Sequence, residues 1–396
     1  MDTGGNRWWM ALALLGATFV ARPEPVVLGT FSDGNLAVVL PAPGVLLPAP
    51  TQVVAAGLPA DARPHGVAHR FADEALFADF FLPRIFRVRV STGQLIGTIA
   101  LPGRTSGNGS IAFAPDGDTA LAIGERNESG QPLTAESVVI RGLAGGNPTV
   151  TPLSPALRVR RFVTGAIAFA PNGRAFVCHV DGVAVLDPPY SSIAFNVALP
   201  SNTGTSICRV SPDGQRLFVT RGGAGIGVVD APFSPASAPT TILAPPGAGA
   251  LGPMAVSPDG NAVLVGQVAR TSAGNNARLF IVRAPFTAAS TMQEITLPAT
   301  VAGTNCGTGT QECPGFEDMD ASIDGSLAIL TGNSSVVDAG FIGRAPLVVL
   351  RNPFNDATRE ILAVAIGNPA ASTHGRGTGG VRFQPPDLPL FGDSFE

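Results

Sequence analysis

The most informative stretch of this chain is Ile207-Cys208-Arg209-Val210-Ser211-Pro212-Asp213-Gly214-Gln215-Arg216-Leu217-Phe218-Val219-Thr220, in which two apolar runs flank Ser-Pro-Asp-Gly. Pro212 presets φ at the second position of a turn, and Asp213 and Gly214 accept the left-handed backbone that reverses the chain. The flanking runs are short and rich in β-branched and apolar residues, as strands are. The stretch therefore predicts a β-hairpin with its tip at residues 211–214.

Turns of this type recur along most of the chain, and their acidic or Asn positions are Asp33, Asp73, Asp116, Asn172, Asp213, Asp259 and Asp324. A repeat of about 40–45 residues with strand-like content is typical of β-propeller blades. In the fifth repeat, four strands are predicted at residues 205–210, 215–220, 225–229 and 240–244. The seven turns predict an all-β fold, a seven-bladed β-propeller of four-stranded antiparallel blades.

The repeats favour a single propeller domain over residues 22–383, followed by a C-terminal tail at 384–396. Residues 379–387 look like one more first strand with its turn, so this segment is predicted to dock on an end blade and help close the ring. Closure removes open strand edges, which promote aggregation. A second repeated turn places an aromatic residue after proline and is predicted to pack between neighbouring blades, with Tyr190, Phe233, Phe286 and Phe354 as its aromatic residues.

The composition suits a turn-rich β protein and argues against some functions. Charged residues make up 14% of the chain, Gly (48) and Pro (36) are abundant, and the hydrophobic fraction of 45% is ample for a core. The formal net charge of −4 comes without the basic stripe that nucleic-acid binding needs. We therefore expect no nucleic-acid partner, and we expect a monomer.

The N-terminal segment, residues 1–21, has the pattern of a signal peptide. Arg7 precedes an apolar run at residues 8–20, which is too short to span a bilayer. The positions expected for cleavage are poorly matched, so a retained N-terminal anchor is the alternative, and only then would the protein contact a membrane. The segment predicts an exported protein, periplasmic or extracellular.

Four cysteines fit an oxidising compartment. Cys306 and Cys313 lie close together in a polar Gly-rich loop and are predicted to form a disulfide. Zinc binding is the competing interpretation, but the pair lacks the usual spacing and has no His nearby. Cys178 and Cys208 lie in apolar strands and are interpreted as small core residues, with a bridge between them left open.

The second repeat, residues 64–103, resembles the YVTN-type β-propeller repeat. It has the Gly-hydrophobic-Ala opening, a segment ending near Thr-Gly and a closing strand before Pro-Gly, but residues 71–74 replace the usual turn and residues 76–79 replace Tyr-Val-Thr-Asn. The resemblance covers about residues 25–366. It implies a propeller fold, and either binding or scaffolding, as in surface-layer propellers, or hydrolysis, as in look-alikes of the lactonase kind.

A functional site is predicted on the rim opposite the Pro-Asp-Gly turns, because the longer loops of the repeats fall there and variable loops on a rigid scaffold often carry function. Arg suits the capture of carboxylate or phosphate through paired hydrogen bonds. The candidate ligand-binding residues on this rim are Arg126, Arg161, Arg270, Asp318 and Arg344. No linear catalytic or metal-binding motif is present in the sequence, so no catalytic residue, metal or cofactor is predicted.

These observations favour an exported propeller that binds a partner protein or a polar ligand without a catalytic role. The alternative is a propeller hydrolase of lactonase type, with acidic and Arg side chains at the mouth of the central channel. A third possibility is a structural envelope component, for which an exposed apolar patch would be the sign. Convergent Glu, Asp, His and Arg side chains in the channel would favour the hydrolase.

Overall fold

The structure, a computed structural model, describes residues 26–30, 37–40, 53–54, 57–62, 64–70, 73–79, 82–102, 110–124, 137–157, 165–179, 182–199, 207–267, 278–298, 315–334, 346–365 and 376–383. The regular elements in these ranges are all strands. Within the same ranges there is no helix of the length and apolarity that a membrane crossing requires.

The strands are numbered in chain order and are grouped into sheets by their hydrogen bonding. Five of the sheets have four consecutive strands each. The first two sheets are β4 (Pro64–Arg70), β5 (Glu74–Asp79), β6 (Arg84–Arg89) and β7 (Gln94–Ala100), and then β8 (Ser110–Phe113), β9 (Ala120–Ile123), β10 (Val138–Arg141) and β11 (Thr149–Pro152). The next three are β12 (Ile167–Phe169), β13 (Ala175–His179), β14 (Gly182–Leu186) and β15 (Phe195–Val197); β16 (Cys208–Val210), β17 (Arg216–Thr220), β18 (Gly225–Asp230) and β19 (Thr240–Leu243); and β20 (Leu251–Val256), β21 (Ala262–Gln267), β22 (Leu279–Arg283) and β23 (Gln293–Ile295). The remaining sheet contains β1 (Val26–Thr30), β2 (Ala37–Leu40), β3 (Val53–Val54), β24 (Gly315–Ala321), β25 (Leu327–Ser334), β26 (Pro346–Arg351), β27 (Glu360–Ala365) and β28 (Arg376–Phe383).

The predicted β-propeller with antiparallel four-stranded blades is present, but the predicted number of seven blades is wrong. The described strands form six blades, five with four strands and one with eight. In the eight-stranded blade, β28 pairs with β1 and also with the end of β25, at Asn333 and Ser334. Turn counting could not detect this sheet, because turns report hairpins, whereas the number of sheets depends on which strand edges share hydrogen bonds.

The inner strands follow one another around a ring. The successive neighbours are β4, β8, β12, β16, β20, β24 and β28, and β28 lies beside β4 again. The eight-stranded blade contributes both β24 and β28 to this ring. The prediction that the segment beginning at residue 379 helps to close the ring is confirmed for residues 379–383, which belong to β28. The ring is therefore closed by antiparallel hydrogen bonds between β28, the last described strand, and β1, the first.

The core lies between the blades. Middle strands such as β13 and β14 are buried at every position, which explains why they are continuous apolar runs. The aromatic residue after proline packs between blades in two repeats: the ring centroids of Phe233 and Phe176 are 4.7 Å apart, and those of Phe286 and Phe218 are 5.0 Å apart. Tyr190 instead packs within its own blade, against Phe169 at 5.6 Å.

The turn at residues 211–214 forms as predicted. The amide of Gly214 donates to the carbonyl of Ser211 at 2.8 Å, and Gly214 has a φ of 71°, in the left-handed region that favours glycine. The Ser211 hydroxyl donates to Oδ1 of Asp213 at 2.5 Å. A Cβ on Gly214 would lie 3.2 Å from Pro171 in the corresponding turn of the preceding blade. The turns of neighbouring blades are therefore packed against one another.

Candidate functional site

One position of the inner strands carries alanine in three blades and a charged residue in others. It lies two residues before the first residue of each described turn of the Ser-Pro-Asp-Gly type, and the backbone amide of that first residue closes the hairpin. Because the turns correspond from blade to blade, residues at this position occupy a similar level of the ring. The residues at this position are Ala112, Ala168, Arg209, Ala255 and Asp320, and Arg382 holds the same place in the sequence, two residues before Gln384-Pro385. The three charged residues, those of β16, β24 and β28, form one cluster.

Asp318 of β24 is the centre of this cluster, and its side chain is fully buried. Its carboxylate accepts hydrogen bonds from Nη2 of Arg209 at 3.1 Å, from Nη1 of Arg382 at 2.5 Å and from the amide of Val381 at 3.1 Å. Arg209 reaches Asp318 past the intervening strand β20. Asp318 therefore joins three inner strands, and both of its oxygens are occupied by protein donors.

Arg209 is nearly saturated with hydrogen bonds. Its Nη1 donates to the carbonyls of Gly165 and Cys208 at 3.1 and 2.9 Å, and its Nη2 donates to Asp318 and to the carbonyl of Met319 at 3.0 Å. Gly165 is needed for this arrangement, because a Cβ there would lie 2.5 Å from Nη1 of Arg209. Arg209 therefore has a structural role and little capacity to bind a ligand directly.

Arg382 differs from Arg209 because, within the described ranges, only one of its nitrogens donates a hydrogen bond. Nη1 donates to Asp318 and to the carbonyl of Val381. Nε and Nη2 have no acceptor in the part of the chain that the structure describes, and the side chain is 17% exposed. A guanidinium whose donors lack a protein acceptor must be satisfied by water or by a ligand. Arg382 therefore presents an open, charged hydrogen-bonding edge at the inner ring.

Asp320 lies near Arg382, whose charge acts on its carboxyl group. Its Oδ2 accepts the amide of Phe383 at 2.9 Å, while Oδ1 has no donor among the described residues, and the side chain is partly exposed. Burial raises the pKa of Asp320 above its usual value, and the positive charges of Arg382 and Arg209 offset part of this effect. The cluster thus combines a free carboxyl oxygen with a free guanidinium edge.

Two histidines of β4 are buried next to the cluster. Nε2 of His65 lies 3.5 Å from Oε1 of Glu317, and both side chains are 3% exposed. Among the described residues, neither ring nitrogen of His69 has a hydrogen-bond partner of normal geometry. Burial lowers the pKa of His69 to about 4, and the backbone of Arg382 and the charge of Asp73 compensate only in part. His69 is therefore neutral near pH 7.

Most of the site residues predicted from the sequence lie outside the described residues: Arg126, Arg161, Arg270, Arg344 and the predicted disulfide pair Cys306 and Cys313. Their roles stay predictions. Asp318 is described, and it lies in an inner strand instead of a loop. The sequence analysis missed Arg209, Asp320 and Arg382 as a cluster. Comparison of equivalent positions before each turn could have found them, because charge there departs from the alanine of the other repeats.

The structure also contains a disulfide between Cys178 of β13 and Cys208 of β16. Both residues are fully buried, as their apolar surroundings in the sequence predicted. The bond joins adjacent blades, and Cys208 immediately precedes Arg209 in β16. In the described ranges no group of three or more His, Cys, Asp and Glu side chains is placed to hold a metal ion.

No family model matches the sequence, and no curated protein matches it. Solved structures do match in fold. A crystal structure of a protein from Lactobacillus plantarum has a TM-score of 0.60 at 14% identity, covering 91% of this chain and 99% of that chain. The X-ray structure of a hypothetical selenium-binding protein from Sulfolobus tokodaii has a TM-score of 0.61 at 12% identity, covering 92% and 94%. This chain is a β-propeller protein. The likeness at such low identity concerns the fold alone, and neither name confirms the YVTN-type or lactonase-like resemblance.

Proposed function

We propose that this β-propeller is a binding module that holds a polar ligand at its inner ring, beside Arg382 and Asp320. The observation that carries the proposal is the open edge of Arg382, whose Nε and Nη2 lack acceptors among the described residues although the side chain is mostly buried. Hydrogen bonds from a guanidinium to an anionic or polar acceptor are among the stronger ones available to a protein. Such an edge on a rigid ring of strands is suited to binding.

The test compares wild-type protein with Arg382→Lys, which keeps a positive charge near Asp318 but loses the planar fork. The matched control is Arg216→Lys, because Arg216 lies away from the cluster in an exposed pair with Asp230. Both variants and the wild type are screened by thermal shift against sugar acids, lactones and other polar compounds. We expect at least one compound to raise the melting temperature of wild type and Arg216→Lys more than that of Arg382→Lys. Compounds that act equally on all three proteins, or no active compound, would overturn the proposal.

A hydrolase of lactonase type is the second candidate, and the observation that favours it is Asp320. A carboxyl group with a raised pKa beside two arginines has the character of a general acid or base. Convergence of acidic and Arg side chains in the channel was the feature expected for this alternative. Its test is lactone hydrolysis by the wild type and by Asp320→Asn. Turnover that disappears in Asp320→Asn, with ligand binding retained, would establish the hydrolase.

We also propose that the protein is exported. The apolar segment at residues 8–20 supports this, and the disulfide between Cys178 and Cys208 suits an oxidising compartment. Cell fractionation combined with mass spectrometry of the N-terminus tests it. Recovery of the chain in the cytoplasm with both thiols reduced would contradict export.

A further inference from the structure

We infer that the ligand of this site is a small monocarboxylate that carries a hydrogen-bond donor, a hydroxyl or an ammonium group, next to its carboxylate. The inference rests on the proposed function, since it names the chemical class for the same site. Three features of the cluster support it in turn: the geometry of the free donors of Arg382, the position of the free oxygen of Asp320, and the balance of charge around both.

The free donors of Arg382 form a fork. Nη1 is turned towards Asp318 and the carbonyl of Val381, which leaves Nε and Nη2 on the other edge. The N–H bonds of Nε and Nη2 run parallel and fit the two oxygens of one carboxylate. A neutral polyol would fill the same space but could not accept both hydrogen bonds with charged oxygens. The fork therefore selects a carboxylate over a neutral ligand.

The free oxygen of Asp320 provides a second contact next to the first. Oδ2 of Asp320 accepts the amide of Phe383, the residue that follows Arg382, and the charge of Arg382 acts on the Asp320 carboxyl group, so the two groups are close to each other. Oδ1 has no protein donor among the described residues and can accept a hydrogen bond from a ligand O–H. A hydroxyl adjacent to the ligand carboxylate would reach Oδ1 while the carboxylate stays on the fork.

The charges of the cluster decide between the remaining ligands. A hydroxyl and an ammonium group can each donate a hydrogen bond to Oδ1 of Asp320, because its carboxylate attracts either donor. A dianion such as phosphate would place extra negative charge beside Asp318 and Asp320. A monocarboxylate adds a single negative charge, which the open guanidinium edge can accept. The cluster therefore favours a hydroxy acid or an amino acid over phosphate.

Lactate, propionate, alanine and 1,2-propanediol form a matched set of probes, because each differs from lactate at one functional group. Binding to the full chain is measured by isothermal titration calorimetry at constant ionic strength, with the wild type, Arg382→Lys and Asp320→Ala. The wild type is expected to bind lactate about tenfold more tightly than propionate, the effect of one good hydrogen bond to a charged group. Alanine should also bind more tightly than propionate, because its ammonium group can donate to Asp320, and the diol should not bind measurably.

The variants separate the two contacts. Arg382→Lys should lose both lactate and propionate, and Asp320→Ala should bind both with similar affinity, because only the hydroxyl contact is removed. Arg216→Lys is the control and should match the wild type. If the wild type bound propionate as tightly as lactate and alanine, or preferred the diol or inorganic phosphate, the proposed ligand class would be overturned. If such binding still depended on Arg382, the proposed function would stand. If Arg382→Lys changed no binding in either experiment, both proposals would fail.

Discussion

Replacement of Asp318 by Asn should destabilise the protein strongly, because Asp318 joins strands β16, β24 and β28. Its buried carboxylate is bound by Arg209 at 3.1 Å, Arg382 at 2.5 Å and the Val381 amide at 3.1 Å. Removing one partner of a buried ion pair costs about 3–5 kcal/mol, since the remaining charges stay desolvated. The two arginine side chains keep 13% and 17% of their surface exposed. Water can therefore compensate in part, and we expect a loss at the lower end, about 3 kcal/mol.

The measurement is the free energy of unfolding from equilibrium urea titrations of the wild type and Asp318→Asn. Asp230→Asn is the matched control, because Asp230 pairs with Arg216 at 3.1 Å but is 65% exposed, and an exposed pair contributes less than about 1 kcal/mol. Hydrogen exchange of the Val381 amide should also accelerate in Asp318→Asn. Equal losses in Asp318→Asn and Asp230→Asn would refute the idea that this carboxylate stabilises the closure of the ring.

The pKa of His69, lowered from 6.5 to about 4, predicts that stability falls by about 3 kcal/mol as the pH falls from 6.5 to 4, because in that window the unfolded chain takes up a proton that the folded chain does not. In urea titrations at several pH values, the free energy of unfolding of His69→Gln should fall less steeply with decreasing pH than that of the wild type. The same pH dependence in both proteins would contradict this prediction. Gly325→Ala should cost about 2–4 kcal/mol, because φ is +69° and the new Cβ would lie 2.8 Å from a proline of the preceding turn. Gly146→Ala is the control: φ is also positive, but no described atom lies within 4 Å of the new Cβ, so the cost should be about 1 kcal/mol. Replacing both Cys178 and Cys208 with Ala should lower the free energy of unfolding by about 3–4 kcal/mol under non-reducing conditions. The reason is that the disulfide closes a loop with a sequence separation of 30 and so restricts the unfolded chain. An unchanged unfolding midpoint would show that the thiols are not bonded.

Local features of the fold could be predicted because they depend on neighbouring residues. The hairpin tip at residues 211–214 follows from proline and glycine in adjacent positions, and the observed strands Arg216–Thr220 and Gly225–Asp230 agree with the predicted ones. The inter-blade packing of Phe233 and Phe286 could be predicted because the same turn repeats in the same place. Repetition thus made a local pattern informative about tertiary packing.

The candidate site could not be predicted in the same way. Asp318 was selected as a residue of a long loop, yet it lies in β24 and binds Arg209, 109 residues earlier in the chain. Its other partner, Arg382, is 64 residues later. These residues lie in three different strands, so no short motif marks the cluster. The bond between Cys178 and Cys208 was likewise left open, because spacing in the sequence does not define which strands become neighbours.

From sequence alone, this chain could be recognised as an all-β propeller with short turns of known type, since turn chemistry and strand periodicity are encoded within a few residues. The number of blades, the role of β28 as a strand shared with β1 and β25, and the meeting of Arg382 with Asp320 required the tertiary structure. The physical reason is that strand-edge hydrogen bonds and converging side chains depend on how distant segments pack around the ring, and a ring closes only when both ends of the chain are in place.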